Sequence, residues 1–164
     1  MRWLRPIILI SFAFALVLLD ASFFSFLEFS GVTILSSLSV LIAFVLLGHG
    51  REISVFIPAI IVFFAVFSSL PLWFIVVGFW LLPATLAYLR IHYLPEPSML
   101  AASLSFAITY LLFDLLLVVT QGEWLMSEVA AIGWFTVINT IFGLTVYGLA
   151  RTIRSNFVRS DIRL

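Results

Sequence analysis

Two aspartates pose the hardest chemical problem in this chain. Asp20 lies within the apolar run 6–27 and Asp114 within the run 99–120. A carboxylate at the centre of a membrane helix costs about 2.5–3.5 kcal/mol on insertion scales, so each needs a partner or a use. Counted along their runs, the two stand at a similar depth. Several uses fit: a proton or ligand site, an aspartyl dyad, a socket for a cation on a partner helix, or a polar contact that fastens helices together.

Other residues extend that set. Ser103, Ala107, Tyr110 and Asp114 follow one another at spacings of three and four, which places them on one helix stripe. Thr136, Thr140, Gly143 and Tyr147 make a second stripe, with Asn139 beside it, and Ser36, Ser39 and Ala43 a third. Small, weakly polar stripes let membrane helices approach and hydrogen-bond. Asn139 is the natural hydrogen-bond partner for Asp114, and Asp20, Asp114, Tyr110 and Asn139 are the candidate buried polar or partner contacts.

Conventional catalytic patterns are missing. No Ser-His-Asp arrangement, HExxH or Walker motif occurs. Nor do the Asn and Gly-Ala motifs that accompany the aspartyl dyad of lipoprotein signal peptidases, which have four spans. Cysteine is absent, which removes thiolate metal sites and a Cys nucleophile. His49 and His92 fall in loops, and Gly48-His49-Gly50 reads as a turn. The expectation is a non-enzymatic protein with no cofactor and no metal.

The elements that must position these residues follow from composition. Of 164 residues, 64% are hydrophobic and 10% charged, against about 45–50% and about 25% in ordinary soluble domains. A fold of this size buries only ~70% of the surface its unfolded chain exposes, too little to hide so much apolar surface in water. The fold class expected is an all-α polytopic membrane protein. A crossing needs about 20 apolar residues. The apolar runs are 6–27, 32–47, 53–67, 72–89, 99–120 and 129–150, one integral domain followed by a basic tail, 151–164. The uncharged stretch 53–89 is too long for one crossing and must turn at Ser68-Ser69-Leu70-Pro71, where proline cannot continue a helix. Pro58 is expected to kink the arm before it.

The charges give the orientation. The eight basic residues are all arginine, and the net charge is zero, so no basic field for nucleic acid exists. With six spans, Arg2, Arg5, Arg51, Arg90, Arg151, Arg154, Arg159 and Arg163 share one side, and Glu28, Glu123 and Glu128 the other. The positive-inside rule makes both termini cytoplasmic. Arg51, Arg90, Arg151, Arg154, Arg159 and Arg163 then form a cytoplasmic basic face. The tail is either a segment that touches lipid or a partner, or only a topology signal. Trp124 is an expected interfacial anchor. A cleaved signal peptide is disfavoured, because Ala13-Phe14-Ala15 lies inside the first apolar run rather than after it.

Asp20-Ala21-Ser22-Phe23-Phe24-Ser25-Phe26-Leu27 followed by Gly31-Val32-Thr33 resembles the first span and turn of the rod shape-determining membrane protein MreD family. Phe67-Ser68-Ser69-Leu70-Pro71-Leu72 resembles that family's hairpin, and Phe113-Asp114-Leu115-Leu116 its aromatic-acidic pair in the fifth span. The resemblance covers nearly the whole chain. It departs at Ile34-Leu35, Ala65 and Trp73, where members often carry Pro with a polar residue, Asp and Gly. The resemblance implies a non-enzymatic scaffold of cell-wall elongation in the bacterial cytoplasmic membrane. Its implied partners are membrane lipid, an MreC-like protein and, through it, the MreB cytoskeleton and the RodA and transpeptidase synthases. The rival expectation is the small substrate-binding membrane component of an energy-coupling-factor vitamin transporter, with a ligand cavity near Asp114, Asn139 and Trp124.

Overall fold

A computed structural model describes residues 4–23, 33–48, 50–93, 98–121 and 126–161, with side chains at 23, 121, 126–129 and 154–161 left out. Among the described residues the chain is helical with no strand. Helix α1 is Leu4–Leu18 and runs on through a π-helical stretch, Leu19–Phe23. Helices α2 (Ser36–Leu47) and α3 (Gly50–Phe67) follow. Helix α4 spans Leu72–Tyr93 and contains a second π-helical stretch, Val77–Leu81. Helices α5 (Met99–Gln121) and α6 (Met126–Asp161) complete the fold.

Five of these helices are long and apolar enough to cross a membrane: α1, α3, α4, α5 and α6. Their outward faces carry Ile8, Val66, Ile91, Leu100, Trp134 and Ile141, all exposed, while Asp20, Ser36, Ser37, Ser39, Asp114 and Asn139 are buried. Polar groups inside and apolar groups outside are what a hydrocarbon solvent selects.

The expected second span differs from the rest. Helix α2 has 12 residues, about 18 Å at ~1.5 Å per residue. Eleven of its residues are buried. It touches each of the other five helices, while the long helices neighbour one another in the order α1, α3, α4, α5, α6. A helix enclosed by other helices has no need of a full bilayer length. Residues 33–35, read as part of this span, are non-helical instead.

The expected hairpin is present: α3 ends at Phe67, residues 68–71 are non-helical, and α4 starts at Leu72. Pro58 lies inside α3, which continues through it. In α4 the cause of the π-helical stretch is Pro83. Proline offers no N–H to the carbonyl four residues back, which is Phe79, within Val77–Leu81. Helix α6 is 36 residues long and carries the expected tail as a continuation of the last span to Asp161.

Aromatic rings and glycines set the helix alignment. Phe12 stacks on Phe56 at 6.0 Å and Phe14 meets Phe63 at 5.1 Å, so α1 and α3 run the same way. Tyr110 meets Phe135 at 6.1 Å. A Cβ placed on Gly143 would lie 2.5 Å from the Phe106 ring, so α5 and α6 run oppositely and approach closely through that glycine. Gly78 admits Phe113 in the same way, at 2.6 Å.

Candidate functional site

Non-helical backbone within an apolar bundle survives only where protein groups satisfy it. Residues 33–35 and the first turn of α2 have that problem. The N-terminal amides of a helix have no intrahelical acceptors, and Leu35 at the N-cap supplies no side-chain bond. Three other helices supply the missing partners.

Asp20, in the π-helical extension of α1, caps α2. Its Oδ1 accepts from Ser36 N at 2.7 Å and Ser36 Oγ at 2.6 Å. Its Oδ2 accepts from Ser37 N at 3.0 Å and also from Ser37 Oγ. A carboxylate here meets both the free amides and the positive end of the helix dipole. Asn139, fully buried on α6, holds the approach segment. Its Oδ1 accepts from Leu35 N at 2.8 Å, and its amide donates to Thr33 O at 3.1 Å and Phe135 O at 3.0 Å. Tyr110 on α5 bonds the Ser39 hydroxyl and donates to Leu35 O at 3.4 Å. Ser39 Oγ also donates to Leu35 O at 2.9 Å.

Asp20, Tyr110 and Asn139 therefore converge on one short segment, 33–39. Asp114 plays a different part. It is buried at 8% exposure, one helical turn beyond Tyr110. Both amide hydrogens of Asn139 go to the Thr33 and Phe135 carbonyls, so Asn139 is not the donor to Asp114 that the sequence suggested. Both oxygens of Asp20 are held by the serines. The buried stripe of α5 is Ala102, Phe106, Tyr110 and Phe113, while Ser103 and Ala107 are only partly buried.

Compared with family models, characterised proteins and solved structures, the chain matches none. Function must therefore be argued from the residues themselves.

The helix alignment brings Arg5, Arg51, Arg90 and Arg151 toward one end of the bundle. Arg5 and Arg51 begin the parallel helices α1 and α3. Arg90 packs on Gly48 at the far end of α2, and Arg151 lies just past Gly148, which faces Met99. Arg5, Arg51 and Arg151 are exposed and Arg90 is partly buried. The side chains of Glu128, Arg154 and Arg159 lie outside the described residues, as do Arg2, Glu28, the turn at Gly31-Val32, His49, Pro95, Glu96, Pro97, Glu123, Trp124 and Arg163. His92 is exposed, its Nδ1 2.9 Å from Tyr88 O and its ring 4.2 Å from the Tyr88 ring. No group of three metal-ligating side chains occurs among the described residues.

Sequence reading missed Ser37 and the role of the Leu35 backbone. The signal for the first was present, because Ser36-Ser37 directly precedes an apolar run and paired serines mark helix starts.

Proposed function

We propose that the chain is a non-enzymatic scaffold of the bacterial cytoplasmic membrane, similar to MreD, acting in cell-wall elongation. Helix α2 counts as the second of six crossings, with both termini and the arginine-bearing end in the cytoplasm. One observation supports this reading above the others. The polar side chains best suited to binding or catalysis, Asp20, Tyr110 and Asn139, bond to the backbone and serines of the chain's own segment 33–39. They fasten helices and leave the lipid-facing surfaces for partner helices.

The test is co-purification from a rod-shaped bacterium. The tagged chain is expected to retain an MreC-like protein in detergent, and its depletion is expected to turn rods into spheres. Normal rods on depletion, together with a vitamin retained through purification, would reject the scaffold in favour of a transporter component.

A further inference from the structure

Arg90 is a cation with no ion-pair partner among the described residues. Its guanidinium packs on Gly48, where a Cβ would stand 2.5 Å from Nη2 and 2.8 Å from Nη1. Gly48 has a φ of 81° and closes the C-terminus of α2 through its N–H. A larger residue there would be strained and would evict the guanidinium. Arg90 Nε is enclosed and makes no hydrogen bond. The side chain is partly buried, and among the described residues no carboxylate pairs with it. An enclosed donor without an acceptor is costly.

We propose that Arg90 anchors a binding site for a phosphate group. The guanidinium fork matches two phosphate oxygens at once, and here the missing side chain of Gly48 leaves room for the fork, which has no partner among the described residues. The surroundings suit a phosphate at headgroup level. Arg51 is exposed three residues after Gly48 and adds a second positive charge at this end of the bundle. Tyr88 and Tyr93, on the same last turns of α4, are 58% and 70% exposed, as tyrosines are at a membrane–water interface. The phosphate belongs either to a phospholipid headgroup or to free phosphate. The inference holds whether or not the chain is a scaffold.

The test uses the full chain purified in detergent, with phosphatidylglycerol binding followed by native mass spectrometry. Wild type is expected to hold the lipid, with binding about tenfold weaker in Arg90→Gln and intermediate in Arg90→Lys, which keeps the charge but loses the fork. Arg151→Gln, an exposed arginine, is expected to bind like wild type. Inorganic phosphate that displaces the lipid assigns the site to free phosphate. Failure to displace it, with the Arg90 variants still losing lipid, assigns it to the headgroup. Wild-type binding in both Arg90 variants, or an equal loss in Arg151→Gln, overturns the proposal.

Discussion

The Asp20 carboxylate holds the first two amides of α2, and the Arg90 guanidinium packs on Gly48 at its other end. An anion at the N-terminus and a cation at the C-terminus both oppose the helix dipole favourably. This matters more at the start of α2 than in an exposed helix, because Asp20, Ser36 and Ser37 are buried, where little water screens the dipole.

Removing the carboxylate leaves two backbone amides and two serine hydroxyls without their acceptor. Asp20→Ala is expected to lower stability by about 2–4 kcal/mol, each orphaned buried donor costing about 1–3 kcal/mol before relaxation. Asp20→Asn keeps one oxygen and should fall between. Thermal unfolding of the purified protein in detergent measures both. An alanine variant as stable as wild type would remove the cap from the account.

Tyr110→Phe isolates the hydroxyl. The ring is fully buried against Phe106 and Phe135 and stays in place, so only the bonds to Ser39 and Leu35 O are lost. The expected cost is about 1 kcal/mol. Ser39→Ala in the same background should cost less than it does in wild type, since of its two bonds only the one to Leu35 O then remains. A double-mutant cycle in detergent reads that coupling.

Gly143→Ala drives a methyl into the Phe106 ring. Overpacking of this kind costs about 1–3 kcal/mol. Phe106→Leu should relieve part of it, so the double variant is expected to be more stable than the sum of the singles. Gly148→Ala serves as the control, because its nearest neighbour, Met99 Cε, is at an ordinary 3.8 Å. Equal losses at both glycines would show that helix propensity, not the ring contact, decides the effect.

Asn139→Leu removes two hydrogen bonds from the segment before α2, those to Leu35 N and Thr33 O. Hydrogen exchange at Leu35 is expected to accelerate by at least tenfold, while exchange in the middle of α3 stays at the wild-type rate. Acceleration in both places would mean that the whole bundle had loosened, rather than this one segment.

Much of this arrangement is legible in the residues, and the rest is hidden for identifiable reasons. The hairpin at 68–71 is readable because proline stops a helix wherever it stands. Asp20, Tyr110 and Asn139 are readable because polar groups are costly in an apolar run. The shortness of α2 is not readable. A helix enclosed by protein and a helix that crosses lipid are both apolar all round, so Ser36–Leu47 looks like its neighbours. The role of Asn139 fails for a related reason: its partner is the backbone of Leu35, and backbone groups carry no sequence signal. The π-helical stretch at Val77–Leu81 depends on Pro83, whose effect falls on the preceding turn.

The bond between Leu35 N and Asn139 Oδ1 joins residues 104 positions apart. Synthesis proceeds from the N-terminus, so the amide of Leu35 enters the membrane well before its acceptor exists. Asp20 can seat the start of α2 as soon as the first hairpin is made, but the segment ahead of it must wait for α5 and then α6. The centre of the bundle is therefore finished last. A nascent chain released before Asn139 would leave the Leu35 amide and the Thr33 carbonyl without these partners.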